Sequence, residues 1–254
     1  MKNSLAYQYG YGLFETIKVE DSKLIFLDDH IKRLVSSTPK INMPLEPLKN
    51  LRNRALLYMK ENNIKNGILK IMYIKDTNYR VEFLYRENPY NKCMYERGFK
   101  INFSHSKRNP YSNMVYLKTN NYLENILEKN NSKSLGFHEP LFLNVHDHIS
   151  EGATSNIFFV KNNILYTPSI NCGILNGIMR KNLIKFCREN NIKLIEGQFS
   201  KEFLLDCDEV FITNSILEIM PVSIIENKQF NMDAYKLTKE IYSKFYDYMR
   251  KEGK

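Results

Sequence analysis

Cysteine is scarce in this 254-residue sequence. The four that occur, Cys93, Cys172, Cys187 and Cys207, form no Cys-x-x-Cys pair and no spaced framework. That pattern points away from a disulfide scaffold and towards a reducing compartment, the cytoplasm. Long apolar runs are missing too: none approaches the roughly 18 residues expected of a membrane-spanning helix. The opening MKNSLAYQYGYG has no continuous apolar h-region, so a secretory signal is not expected there. Internal repeats and low-complexity stretches are also lacking. The formal charge is +9, yet the basic residues are spread along the chain and interleaved with acids. With no basic helix, no Cys/His finger spacing and no aromatic-basic sheet signature, the charge reads as a lysine-rich surface suited to anionic substrates, not as a nucleic-acid site.

What is present is a chain 43% hydrophobic, ample for one large or two modest domains at roughly 100–200 residues each. GYGLFETIKV reads as a glycine turn feeding a strand. SKLIFLDDHIKRLVSS gives a short strand and then a helix, with Asp28 or Asp29 as its N-cap and Ile31, Leu34 and Val35 at helical spacing. PLKNLRNRALLYMKENN is a second amphipathic helix. GILKIMYIKD and YRVEFLYRE are strands joined at Asp76-Thr77-Asn78, and IFFVKN and NILYTPS form a hairpin around Asn162-Asn163. The polar stretch Ser104 to Asn113, which contains Pro110, is the best linker candidate. The expected architecture is a mixed α/β fold of the α+β, two-lobed kind. An N-terminal α/β domain would span 1–106, a linker 107–113, and a larger domain 114–254.

Chemistry gathers in a few stretches. Lys118 follows the short apolar run Val115-Tyr116-Leu117, just before a helix expected from about Asn121 to Lys129. A lysine held at a strand end is partly desolvated, and desolvation turns an ammonium towards a nucleophilic amine. Glu151 in HISEGATSNIFFV is a carboxylate at a glycine turn before a strand. GILNGIMR places Gly177, Ile178 and Met179 at a helix start, where free N–H groups and the positive dipole end suit an anion. FITNSILEIMPV ends a strand in Thr213-Asn214-Ser215, and Arg33 adds a cation on the first helix. Singly, each has an ordinary explanation: a surface lysine, a turn acid, a helix start, a solvated arginine. Together they supply an amine for a Schiff base, a carboxylate for a pyridinium nitrogen and donors for a phosphate, the needs of pyridoxal 5′-phosphate.

GYGLFETIKV with DDHIKRL, LKTNNYL, EGATSNIFFV, GILNGIMR and FITNSILEIMPV together resemble the class IV, fold-type IV, pyridoxal-phosphate enzymes. That family includes branched-chain and D-amino-acid aminotransferases and 4-amino-4-deoxychorismate lyases. The resemblance runs in order from about Tyr9 to Val222. It implies Lys118 as Schiff-base lysine and general acid/base, Glu151 against the pyridine nitrogen, and Arg33 on the phosphate. It further implies backbone N–H contacts from Ile178 and Met179, a phosphate cup closed by Asn214 and Ser215, and Tyr122 near the cofactor oxygen. The D-amino-acid-aminotransferase-like fold, with a small N-terminal and a larger C-terminal domain, a homodimer and a small carboxylate substrate are expected with it; no metal is.

Two reactions stay open. The Thr-Asn-Ser segment and GIMR in place of Gly-Ile-Thr resemble the lyases, which release 4-aminobenzoate and pyruvate. A class IV transaminase is the alternative. Gly10-Tyr11-Gly12 replaces a common Gly-Asp-Gly, and Lys75-Asp76 stands where many members carry Arg-Gly. Lys75 would offer a substrate carboxylate a point charge instead of a bidentate fork. Phe14 stands where D-amino-acid enzymes carry a tyrosine. Two rival readings, a metal cluster at His146-Asp147-His148 and a Cys172 nucleophile, lack the supporting spacing.

Overall fold

A computed structural model describes residues 4–252. The chain divides into two compact units, one of residues 1–89, 117–122 and 249–254, the other of residues 90–116 and 123–248. The first three residues, part of the opening segment read above, lie outside the described ones.

In the first unit, helix α1 (Leu5–Tyr9) leads into strand β1 (Gly12–Glu20) and the short β2 (Lys23–Leu24). Helices α2 (Leu27–Ser37) and α3 (Leu51–Glu61) follow, then β3 (Gly67–Lys75) and β4 (Tyr79–Arg86). The strands form a four-stranded antiparallel sheet in the order β2-β1-β3-β4. Alternation along the strands turns Leu13, Ile17, Val19, Leu69, Ile71 and Tyr73 to one face, where they pack with Leu27, Leu34, Leu51, Ala55 and Met59 of the helices. The expected turn at Asp76-Thr77-Asn78 closes β3 onto β4, with the Asp76 N–H donating to the Asn78 carbonyl at 2.9 Å.

The start of α2 differs from expectation. Its N-cap is Phe26, held in the left-handed region at φ 55°, and Asp28 and Asp29 fall in the first turn. There the two carboxylates still favour the positive end of the helix dipole, which is why their position looked like a cap.

The second unit begins with α4 (Lys92–Arg97) and β5 (Phe99–Arg108). It continues through α5 (Leu123–Ser134), β6 (Glu139–Asn144), β7 (Ile149–Gly152), β8 (Asn156–Lys161), β9 (Ile164–Pro168) and α6 (Ile178–Glu189). It ends with β10 (Leu194–Gly197), α7 (Lys201–Leu205), β11 (Glu209–Asn214), β12 (Glu218–Ile225), β13 (Lys228–Gln229) and α8 (Leu237–Glu252). The nine-stranded sheet runs β10-β9-β8-β11-β12-β5-β6-β7, with β13 paired to β12. The β8–β9 hairpin turns at Asn162 and Asn163, both with positive φ (51° and 60°), as a tight two-residue turn demands. Strand β5 runs past the apolar Phe103 through the polar residues to Arg108. It does so across an irregularity in its pairing with β6, a place where polarity alone reads as loop. The two units together give the mixed α+β class. Among the described residues no helix is long and apolar enough to cross a membrane.

Candidate active site

Lys118 is positioned by backbone pairing with β1. The Phe14 N–H donates to the Lys118 carbonyl at 2.9 Å, the Asn120 N–H donates to the Gly12 carbonyl at 3.0 Å, and Leu13 bridges Thr119. The residues before it do not form the expected strand. Asn113–Tyr116 is a single 3-10 turn, and only the stretch around Lys118 is extended. Close approach is possible because residue 12 is glycine. A Cβ there would lie 2.8 Å from the Tyr73 carbonyl oxygen and 2.7 Å from Asn120 Nδ2.

This register sets Lys118 and Phe14 side by side on the face of the sheet opposite the helices. Lys118 Nζ lies 4.3 Å from the centroid of the Phe14 ring and 5.3 Å from that of Tyr122. The two rings meet edge to face, with centroids 5.3 Å apart. On the helix side of β1, Glu15 is buried and receives Arg33 Nε at 2.8 Å and Arg33 Nη2 at 2.5 Å. His30 Nδ1 lies 2.6 Å from the same carboxylate. Burial raises the Glu15 carboxyl, but the Arg33 charge and the hydrogen bonds from Arg33 and His30 outweigh it and hold the group at about 2. His30 is pushed down by its burial, and the Arg33 and Lys118 charges add to that against the pull of Glu15. Arg33 is thus a locked cation.

In the second unit, Glu151 is buried at the end of β7. Its Oε2 accepts the Leu175 N–H at 3.0 Å, with Asn156 Nδ2 at 3.4 Å, and Asn156 also donates to the Leu175 carbonyl at 2.9 Å. These contacts tie the Glu151 strand to the segment entering α6. Gly177 caps that helix in extended conformation, so the Ile178 and Met179 N–H groups open its first turn. Arg108 Nε lies 3.6 Å from Glu151 Oε1 without a hydrogen bond, while Arg108 Nη1 donates to Glu124 at 2.8 Å. The loop after Glu151 is pinned by buried Glu139, which accepts the Thr154 N–H at 2.6 Å and the Ser155 hydroxyl at 3.0 Å. Asn214 Nδ2 donates to the Thr154 carbonyl at 3.0 Å, and its Oδ1 accepts the Ile216 and Leu217 N–H groups, each at 2.8 Å. Ser215 follows on the same turn.

The structure therefore gathers Phe14, Lys118 and Tyr122 in one unit, with Arg33 beside them on β1's other face. It gathers Glu151, Ile178, Met179, Asn214 and Ser215 in the other. Lys75 is not brought to the Phe14 ring: it ends β3, with Nζ 3.9 Å from the centroid of Tyr79. The sequence pattern did not single out Glu15, His30, Arg108 or Glu139. For Glu15 a signal existed, since it occupies the buried face of an alternating strand, and His30 and Arg33 share one helical face. The rival centres look ordinary. His146 contacts Tyr111, Asp147 takes Lys107, and burial pushes the Cys172 thiol up, away from the thiolate.

The class IV aminotransferase family model matches residues 12–225. The chain belongs to that family. Its fold is fold-type IV, and its cofactor is pyridoxal 5′-phosphate. The donor set fits that group: an amine beside two aromatic rings, a buried carboxylate, and a helix N-terminus with open N–H groups. Among relatives, Listeria monocytogenes D-alanine aminotransferase is 29% identical over 239 residues, covering 88% of this chain and 81% of that protein. Bacillus subtilis aminodeoxychorismate lyase is 36% identical over 78 residues, which is 31% of this chain and only 27% of that protein. A Legionella pneumophila protein classed provisionally as a 4-amino-4-deoxychorismate lyase has a similar structure. Its TM-score is 0.90 at 26% identity, covering 96% of this chain and 93% of that one. The family thus spans both lyase and aminotransferase activities.

Proposed function

We propose that this family member is a lyase, converting 4-amino-4-deoxychorismate to 4-aminobenzoate and pyruvate. The observation that carries the reading is the aromatic pair of Phe14 and Tyr122 around Lys118. Flat apolar rings suit a cyclohexadiene that becomes a benzene ring, and Phe14 offers no hydroxyl to an amino-acid substrate. The Thr213-Asn214-Ser215 segment, with Asn214 drawn into its own turn, supports the same choice.

In this reading Glu151 faces the cofactor's ring nitrogen, with Arg108 Nε 3.6 Å from its Oε1. Arg33, the Ile178 and Met179 N–H groups, Asn214 and Ser215 receive the phosphate, and Tyr122 lies near the cofactor oxygen. When bound, the cofactor supplies an electron sink conjugated to the substrate amine. Lys118 removes the proton from the ring carbon that bears the amine. The bond from the neighbouring ring carbon to the enolpyruvyl oxygen breaks, and a proton delivered to the enolpyruvyl methylene gives pyruvate. Aromatisation drives the step. Glu139 and Asn214 act by fixing the Glu151 loop.

A transaminase of the same family is the second reading, favoured by the long match to D-alanine aminotransferase. Cofactor-loaded protein given aminodeoxychorismate should release 4-aminobenzoate and pyruvate in equal amounts, and Lys118→Ala should abolish both that release and the visible absorbance of lysine-bound cofactor. An amino donor alone converting the bound cofactor to its amine form, without release from aminodeoxychorismate, would replace the lyase with the transaminase. The reading also carries a homodimer and a cytoplasmic setting, for which light scattering and cell fractionation are direct checks.

A further inference from the structure

Arg180 is the third residue of α6 and one of the largest fully buried side chains, only 2% exposed. Its guanidinium ties together three stretches around the helix start. Nη2 donates to the Pro168 carbonyl at the end of β9 at 2.8 Å and to Glu196 Oε2 on β10 at 2.7 Å. Nη1 reaches Asn176 Oδ1 at 3.4 Å. Asn176 and Gly177 are all that separates Leu175, whose N–H holds Glu151, from the N–H groups of Ile178 and Met179. That short segment is pressed against β8, since a Cβ on Gly177 would collide with Asn156 Oδ1.

A charge in this place is costly. A cation in the first turn of a helix opposes the positive end of the helix dipole. Arg180 Nε is buried without a hydrogen bond. Glu196, the carboxylate paired with Arg180, is also paired with Arg188. Two guanidinium groups thus share one carboxylate, and the cluster keeps a net positive charge. Burial pushes the Arg180 guanidinium down from its ordinary value, and the pull of Glu196 offsets that only in part. Joining β9 to β10 needs no such charge, because a neutral amide could donate to the Pro168 carbonyl as well. A buried cation beside open helix N–H groups is relieved by an anion held at the same terminus.

We propose that Arg180 is a positioning residue for the cofactor phosphate, fixing the start of α6 and adding a poorly screened positive charge to the terminus that receives the phosphate. It acts through Asn176 and through its charge, and the first-turn N–H groups make the contact. The phosphate carries most of a second negative charge at neutral pH and gains from that field. Pyridoxal, the same ring without the phosphate, does not. The inference rests on the reading that seats the phosphate at Ile178 and Met179. It is indifferent to the choice between lyase and transaminase, because both use the same cofactor.

The test is equilibrium binding of pyridoxal 5′-phosphate and of pyridoxal to the whole chain freed of cofactor, read from the visible absorbance of the lysine-bound ring. General damage to the fold weakens both, so the ratio of the two constants isolates the phosphate. Arg180→Met should lower the wild-type preference for the phosphate form by about 10-fold. Arg180→Lys, which keeps the charge, should restore most of it. Glu196→Gln loosens the same clamp but removes a negative charge, so the preference should stay at or above the wild-type value. A preference unchanged in Arg180→Met, or lowered as far in Arg180→Lys or Glu196→Gln, overturns the inference. If Arg180→Met does not fold, Glu196→Gln decides by the same rule. Ile178→Pro, which removes one first-turn N–H at a position where proline fits a helix, tests the phosphate placement by itself. A preference that Ile178→Pro leaves intact overturns the placement; one that falls there but not in Arg180→Met overturns the role of Arg180 alone.

Discussion

Glu15 and Glu151 are both buried carboxylates of one chain, yet their surroundings differ in kind. Glu15 has a guanidinium fork on both oxygens and an imidazole besides, all within hydrogen-bond distance. Glu151 has a backbone N–H, a long contact to Asn156, and a guanidinium whose Nε stands off at 3.6 Å without a hydrogen bond. Charge-assisted hydrogen bonds of the first kind lock geometry and make both partners depend on each other. The contacts shown at Glu151 tie it to the Leu175 backbone and set the Arg108 charge near it without a hydrogen bond from Nε. The difference separates a group that builds the site's frame from one suited to meet a ligand.

The largest effect should come from removing the Glu15 charge. Glu15→Gln leaves Arg33 and His30 without their counter-charge, and breaking a buried pair in this way costs about 3–5 kcal/mol. Chemical denaturation should show that loss whether or not cofactor is present. A loss no larger than that of a surface substitution would remove the distinction drawn between the two carboxylates.

Acid should act on the same group. The folded-state pKa of Glu15 lies near 2, below its ordinary value of 4.5, so the unfolded chain binds its proton first as pH falls. Its stabilisation is fully present above pH 4.5 and is lost progressively as pH falls from there towards 2. The shift corresponds to about 3 kcal/mol for this buried group, as an order of magnitude. Denaturation measured across that window should show a fall in stability that Glu15→Gln greatly reduces.

Much of the site was legible in sequence because its parts are local. Lys118, the Glu151 turn, the Gly177 helix start and the Asn214 turn each sit where a short motif meets a change of element, and the Asn162-Asn163 hairpin is written in two residues. The missing parts depend on distant partners. Glu15 reads as a polar residue in a strand until β1 is seen to turn it towards α2, where His30 and Arg33 meet it. The extended segment at Lys118 itself is made by pairing with Gly12 and Phe14, not by the apolar run before it, which is a 3-10 turn. Phe26 as an N-cap with positive φ has no signal in composition, since asparagine and glycine are the usual occupants of that region.

Glu151→Gln should invert the outcome of Glu15→Gln. Glutamine still accepts the Leu175 N–H, and Arg108 keeps Glu124, so stability should change by only about 1 kcal/mol. Cofactor should remain bound, with its visible absorbance present, while turnover falls about 100-fold because proton removal loses the ionic partner of the ring nitrogen. Turnover left unchanged would assign Glu151 a structural role like that of Glu15.

The smallest effect should follow Arg108→Met. Arg108 is buried over the Phe142 ring, with its guanidinium carbon 3.8 Å from the centroid, but its Nε is already without a hydrogen bond and its partner Glu124 is half exposed. Methionine fills a similar volume against the same ring, and Glu124, the partner left behind, is exposed enough to be hydrated. Glu151 retains the Leu175 N–H. Stability should therefore change by no more than about 1 kcal/mol in denaturant titration, far less than for Glu15→Gln. A loss as large as that of Glu15→Gln would mean that Arg108 and Glu151 form a locking pair after all, and that the two carboxylates do the same work.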